Sequence, residues 1–340
     1  MTLSKTSFLI SFFLLSKILL VAEKTQQPNI IFIFSDDHAV QSIGAYGSKI
    51  NKTPNIDRLA KEGAIFENSF CNNSICGPSR ASILTGKFSH KNGFYMNTGG
   101  TKFNGAQTTF PKILQKNGYQ TALIGKWHLG FRPHFGPEKS GYMHHFGPMS
   151  GAVGYYSHTG SNQKPDLELD GQPHEEEGYL TDLFSKRAVD YVNKRADADE
   201  PFLLSLHYTA PHWPWETRSQ ERVDPEIAKS IAHNDGGNVE TYQTMIREMD
   251  EGIGWLVDAL EKNGQLDDTL IIFTSDNGGE RFSDNWPLVG GKMDLTEGGI
   301  RVPYIVHWPK GIANPGSTSK QHSMTMDWTA TILDIAGAEL

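Results

Sequence analysis

Asn29-Ile30-Ile31-Phe32-Ile33-Phe34-Ser35-Asp36-Asp37 runs from an unbroken apolar stretch straight into two carboxylates. A strand with one wet face alternates polar and apolar residues, whereas this run does not, so it predicts a strand buried on both faces of a parallel or mixed sheet. Open α/β sheets bind ligands at the carboxyl ends of their strands. Adjacent carboxylates repel unless a cation lies between them, so a hard metal accounts for Asp36 and Asp37 better than a solvated turn does. The same arrangement recurs late in the chain, where a core strand over 268–275 ends in Asp276-Asn277 and then Gly278-Gly279. Two strand ends that each offer a pair of oxygen-bearing side chains suit an oxygen-loving ion such as Ca²⁺ or Mg²⁺.

Between those strands the chain alternates helix and strand. A helix over 55–62 is stopped by Gly63, and a strand over 64–70 leads to Ser74-Ile75-Cys76-Gly77-Pro78-Ser79-Arg80-Ala81-Ser82-Ile83-Leu84-Thr85-Gly86-Lys87. Within it a short helix, 79–85, turns Ile83 and Leu84 inward and ends at Gly86 as a left-handed cap. Cys76 then sits at a helix N-terminus, where free N–H groups and the helix dipole favour an anionic ligand or a thiolate. A structural cysteine, or a disulfide to Cys71, fits that string alone equally well.

A helix over 110–117 and a strand over 120–124 lead into Gly125-Lys126-Trp127-His128-Leu129-Gly130, and residues two apart on an extended segment point the same way. The stretch 131–173 has little periodicity and reads as a long surface excursion whose histidines, His134, His144, His145 and His158, are scattered loop groups. A helix over 181–195 precedes a strand over 201–206, which opens into His207 and Pro211-His212-Trp213-Pro214-Trp215. The prolines stiffen the backbone around His212, as proton transfer requires, while His207 reads as structural. Trp213 and Trp215 offer flat faces to a sugar, or else simply pack. An amphipathic helix over 238–262 carries Met245, Met249, Ile253, Leu256 and Leu260 on its core side. Lys292 follows the flexible pair Gly290-Gly291, a strand spans 302–307, and a last helix begins near Asp327.

The 340 residues carry a net charge of −8, which argues against nucleic acid or an anionic membrane as the main partner. An anionic substrate then needs a local cluster of cations. Two cysteines make no disulfide framework. Residues 1–22 read as a secretory signal, with Lys5, an apolar core over 8–15 and Leu20-Val21-Ala22 before the cleavage point. Lys17 interrupts the apolar run, so no integral membrane span is expected. The chain is expected to be exported, periplasmic or secreted; sequons at Asn51 and Asn72 leave a eukaryotic route open.

Cys76-Gly77-Pro78-Ser79-Arg80 with Ala81 to Lys87, together with Gly125 to Gly130 and Glu297-Gly298-Gly299-Ile300-Arg301-Val302-Pro303, resembles the type I sulfatases, with an arylsulfatase or N-acetylgalactosamine-6-sulfatase-like pattern from about residue 28 onward. The resemblance implies an α/β fold, the alkaline-phosphatase-like sandwich with a large central mixed sheet flanked by helices. It implies that a formylglycine-generating enzyme oxidises Cys76 to formylglycine (3-oxoalanine), and that Asp36, Asp37, Asp276, Asn277 and residue 76 bind one calcium ion. Arg80, Lys126, His128, His212 and Lys292 would surround the sulfate, with a serine near Ser150 or Ser157 adding a contact. Sulfate ester hydrolysis follows, on a sulfated carbohydrate rather than a simple aryl sulfate if export, the 131–173 excursion and the tryptophans are any guide. Residues 23–340 form the catalytic domain on this reading, and a smaller C-terminal subdomain is expected beyond the point where the chain stops. Two rivals remain: a phosphatase or phosphodiesterase of the same superfamily, which would need a Ser or Thr nucleophile and ligands for two metals, and a non-catalytic binder of sulfated glycans.

Overall fold

The computed structural model describes residues 27–97, 103, 105–160, 163–219 and 237–338. The signal reading of 1–22 lies outside the described residues. Among those described, no helix is long and apolar enough to cross a membrane.

Ten strands form one mixed sheet: β1 Asn29–Ser35, β2 Ala64–Phe70, β3 Gln120–Gly125, β4 His144–Pro148, β5 Leu167–Leu169, β6 Gln172–Pro173, β7 Phe202–His207, β8 Thr269–Ser275, β9 Tyr304–His307 and β10 Ser317–Met324. Their order is β10-β2-β9-β8-β1-β7-β3-β4-β5-β6. The unbroken apolar run lies near the centre, with β8 and β7 parallel to it on either side and β3 parallel to β7. Side chains of β1 alternate between two layers. Ile31 and Ile33 enter a core shared with α1 (Pro54–Glu62), α5 (Leu180–Lys194) and α6 (Val239–Lys262). Ile30, Phe32 and Phe34 enter a second core with α2 (Cys76–Thr85), α4 (Phe110–Lys116) and α8 (Asp327–Ile335). Burying both faces explains the missing alternation, and each such side chain contributes roughly 1.5–3 kcal/mol. Two single-turn helices, α3 (Ser89–Asn92) and α7 (Glu297–Ile300), sit in loops.

The expected α/β sandwich with a large mixed sheet is therefore the fold. One local expectation is corrected, one strand had no reading, and one open alternative is decided. The 131–173 excursion contains β4, β5 and β6, which extend the sheet beyond β3, and His144 and His145 are strand residues. These strands are short and carry few large apolar residues, as edge strands commonly do, so they left no run to read. β10 lies at the opposite edge, paired in parallel with β2, and its sequence Ser317-Thr318-Ser319-Lys320-Gln321-His322-Ser323-Met324 is polar because most of it faces water. Cys71 and Cys76 are both buried and free, with no disulfide between them; the Cys71 thiol donates to the Asn73 carbonyl at 3.0 Å.

The helix over 238–262 appears as α6, with Asn238 accepting from the Thr241 N–H at 2.9 Å as an N-cap. From its middle, fully buried Asp250 reaches the start of α1 and accepts from Ile56 N at 2.8 Å, Asn55 N at 3.2 Å and Asn55 Nδ2 at 2.8 Å. Removing that carboxylate strands one buried and two partly buried donors. Asp250→Ala is expected to lower the unfolding free energy by about 2–4 kcal/mol, read as a drop in the urea midpoint at unchanged slope; a shift within error would show that α1 does not depend on this cap.

Candidate active site

The parallel register places Ser35 beside Ser275, so the chain leaves β1 and β8 side by side and puts Asp36 and Asp37 next to Asp276 and Asn277. All four are buried, at 0–1% exposure. Three cations meet them. Arg80, on the first turns of α2, donates from Nε to Asp276 Oδ2 at 2.9 Å and lies 3.4 Å from Asp36 Oδ2 through Nη2. Lys126, just past β3, bonds Asp36 Oδ2. Lys292 reaches Asp37 Oδ2 at 2.6 Å. Each carboxylate that the sequence reading assigns to a metal thus also has a cation of the chain's own.

Cys76 opens α2, three residues earlier than its expected start, and Gly86 caps the helix with φ +64°. Its Sγ lies 3.5 Å from Asp36 Oδ1 and 3.9 Å from Asp37 Oδ1. Burial pushes the Cys76 thiol well above its usual range; Lys126 and Lys292 pull the other way and do not prevail. The expected thiolate is therefore not favoured in the unmodified chain. Asn97 Oδ1 accepts from Gly77 N at 2.9 Å and so satisfies one N–H of the helix start.

His212 packs on Trp213 with ring centroids 5.2 Å apart. Its Nδ1 lies 2.5 Å from the Trp213 carbonyl, so Nδ1 carries the proton and Nε2 is left facing Asp37 Oδ2 at 3.6 Å. Tyr155 Oη donates to the His212 carbonyl at 2.9 Å and holds the segment from below. His128 has φ +60°, and its ring lies so close to Gly151 that a Cβ there would come within 2.2 Å of Nε2. Burial, then Lys126, holds the His128 pKa well below its ordinary value, and burial, then Lys292, does the same for His212. His207 bonds the Lys126 carbonyl at 3.2 Å and lies 3.4 Å from Arg80, a supporting role as read from sequence. Ser150 bonds Asp166 and adjoins Gly151, whereas Ser157 bonds Thr159 at 2.9 Å; of the two, the chain places Ser150 beside His128. Trp215 is 2% exposed and packed edge-on against Phe282, so of its two readings, an open face for a sugar or plain packing, it packs.

A cation fits this donor set. Carboxylate oxygens of Asp36 and Asp37, the sulfur of Cys76 and a ring nitrogen of His212 lie within 4.8 Å of one another. Asn277 turns Nδ2 to Asp37 Oδ1 at 2.8 Å and leaves its buried Oδ1 without a partner. An orphaned buried amide oxygen beside three carboxylates is a free ligand for a hard ion.

The family model for Sulfatase matches residues 28–338. This chain belongs to the sulfatase family. It is 33% identical to an N-acetylglucosamine-6-O-sulfatase of Bacteroides thetaiotaomicron, over 94% of this sulfatase chain and 69% of that enzyme. It is 33% identical to the N-acetylgalactosamine-6-sulfatase of Rattus norvegicus, over 94% of this chain and 64% of the rat protein. Among solved structures it resembles Ps i-CgsB in complex with k-i-k-neocarrahexaose, with 35% identity, TM-score 0.82, and 93% and 73% of the two chains covered. A second is BT4656 in complex with D-glucosamine-2-N,6-O-disulfate, at 32% identity and TM-score 0.73, covering 92% and 77%. This sulfatase chain therefore spans about two thirds of the length of the relatives it matches.

Arg80 is the cation that joins both strand ends. Arg80→Ala leaves two buried carboxylates without it and is expected to cost roughly 3–5 kcal/mol of stability, measured by thermal or urea unfolding, with Arg80→Lys recovering only part because a lysine cannot fork between Asp36 and Asp276. Unchanged stability in Arg80→Ala would refute the pairing.

Proposed function

We propose that this chain is a sulfuric ester hydrolase that releases inorganic sulfate from a sulfated carbohydrate, with formylglycine at position 76 as nucleophile and one bound calcium ion. The observation that carries the reading is Cys76 at the start of α2, its sulfur against Asp36 and Asp37 and ringed by Arg80, Lys126 and Lys292. The names of the relatives support a carbohydrate substrate, since they are sulfatases of N-acetylglucosamine and N-acetylgalactosamine, and one solved neighbour is in complex with D-glucosamine-2-N,6-O-disulfate, another with a neocarrahexaose. Export through residues 1–22, catalysis within 23–340 and maturation by a formylglycine-generating enzyme belong to the same proposal.

Asp36, Asp37, Asp276, Asn277 and residue 76 would hold the calcium, which when bound adds positive charge beside the sulfuryl oxygens. The cations Arg80, Lys126 and Lys292 orient the sulfate ester and neutralise the charge that grows on its oxygens. One hydroxyl of the hydrated aldehyde at 76 passes its proton to the adjacent Asp36 carboxylate and attacks sulfur; the S–O bond to the sugar breaks, and the departing alcohol oxygen takes a proton from Lys292, since His212, held neutral with its proton on Nδ1, has none to give from Nε2. A sulfate ester of the hydrate remains on residue 76. His128 then removes the proton of the second hydroxyl, the C–O bond to sulfate breaks, and the aldehyde returns. A serine or thiol at 76 has no second hydroxyl to drive that step. A non-catalytic glycan binder would keep the anion pocket without the aldehyde.

The test is to make the chain alongside the modifying enzyme, determine residue 76 by peptide mass spectrometry, and measure sulfate release from 6-sulfated N-acetylglucosamine, 6-sulfated N-acetylgalactosamine, carrageenan oligosaccharides and 4-nitrophenyl sulfate. An aldehyde at 76 and turnover of at least one sulfated sugar are expected, with Cys76→Ser stalling after a single turnover as a sulfated serine. Full turnover by a chain with an intact thiol would sink the mechanism, and activity confined to the aryl ester would sink the substrate class.

Asp276→Ala is expected to lose the ion, seen as a fall in bound calcium from one equivalent toward none by elemental analysis and as loss of calcium-dependent thermal stabilisation. Stoichiometric calcium in the variant would overturn the ligand assignment.

A further inference from the structure

The loop that delivers Lys292 also holds a cluster of uncovered apolar side chains. Trp286 is 79% exposed, Val289 71%, Met293 64% and Leu295 82%. The loop backbone is nonetheless fixed. The Gly279 carbonyl accepts from both Lys292 N at 3.0 Å and Asn285 Nδ2 at 3.1 Å, so the residue before Trp286 and the lysine hang from one atom. Asp284 Oδ1 accepts from Trp286 N at 3.1 Å, Leu288 N donates to the Asn285 carbonyl at 2.7 Å, and Ser283 Oγ bonds Tyr242 Oη at 2.8 Å. Met293 N donates to the Ser74 carbonyl at 2.8 Å and ties the loop to the segment entering Cys76.

We propose that the indole of Trp286 is the platform on which a sugar ring of the substrate stacks, which makes it a specificity-determining residue for carbohydrate-borne sulfate esters; this rests on the sulfatase reading of the Cys76 site. A large ring held open to water on an ordered turn is an unspent contact surface. The other tryptophans considered for this role are less available: Trp215 is buried, and Trp213 is partly buried, packed against the main core and the His212 ring. A pyranose presents an apolar C–H face to an indole and hydroxyls around its rim. Exposed Asp284 and Asp294 flank the loop as acceptors for such hydroxyls. A sulfate held near Lys292 leaves the sugar that carries it, or the next ring along, beside the same loop. Chemistry and ring recognition are thereby mounted on one anchored segment.

The experiment uses the full chain. In a Cys76→Ala background, which cannot turn substrate over, calorimetry measures binding of a sulfated carrageenan hexasaccharide and of inorganic sulfate. Trp286→Ala is expected to weaken the oligosaccharide about tenfold and to leave inorganic sulfate and the thermal midpoint unchanged, with Trp286→Phe recovering most of the loss. In the aldehyde-bearing enzyme the same substitution is expected to raise KM for the oligosaccharide while kcat and the kinetics on 4-nitrophenyl sulfate stay as they were. Equal oligosaccharide affinity with and without the indole overturns the inference, as does a parent that hydrolyses 4-nitrophenyl sulfate yet binds no oligosaccharide. A Trp286→Ala variant that loses only self-association in solution also overturns it, assigning the patch to a second copy of the chain. If oligosaccharide binding depends on Trp286 but the aldehyde-bearing chain releases no sulfate, the stacking stands and the sulfatase reading fails.

Discussion

Three buried carboxylates are held against three buried cations at the carboxyl ends of β1 and β8. Each ion would be costly to bury alone, and losing one member of such a set is worth several kcal/mol. The pairing therefore constrains everything that supplies a member. Arg80 requires α2 to dock with its first turn over the strand ends, Lys126 requires β3 to stand two places from β1 with β7 between them, and Lys292 requires its loop to fold back across β8. The sheet order and the charge pattern are two statements of one arrangement.

Local backbone is bent to meet that demand. Asp37 and His128 both adopt positive φ, +61° and +60°, a conformation that side-chain-bearing residues pay for and that persists only when the surroundings over-determine it. Gly125, with φ +113°, precedes Lys126 at a point where a Cβ would come within 1.9 Å of the His207 carbonyl. Gly278 follows Asn277 where the chain passes so close to the Gly298 carbonyl that a Cβ would again lie 1.9 Å away. These glycines let three backbones converge behind the donor set.

The inner site is built from strand ends and a helix start, while its rim comes from loops. On the proposed reading, that division separates the chemistry, which needs fixed charges, from recognition of the group that bears the sulfate, which can vary by changing exposed residues such as those around Trp286 without moving Asp36, Cys76 or Arg80. It also explains why relatives acting on different sugars by name share this core.

The charged residues that the structure brings together were legible because their signals are local. An unbroken apolar run ending in two acids marks a central strand and its ligand end whatever the neighbours, and the Cys76 to Arg80 string with its glycine cap marks a helix start within a dozen residues. The sequence alone thus determined the α/β class, the core strands β1, β7 and β8, and the roster of charged groups. It could not show β10, most of which faces water, or the β4 to β6 edge, whose strands are too short and carry too few large apolar residues to leave a run. Nor could it show which cation meets which acid. Lys292 and Asp37 are 255 residues apart, and Arg80 and Asp276 are 196 apart; their contact is fixed by the order in which strands lie in the sheet, a long-range choice made by packing two apolar layers and neutralising buried charge together. Tertiary structure also buried the unmodified Cys76 thiol, and that burial pushes its pKa above the usual range against the pull of Lys126 and Lys292.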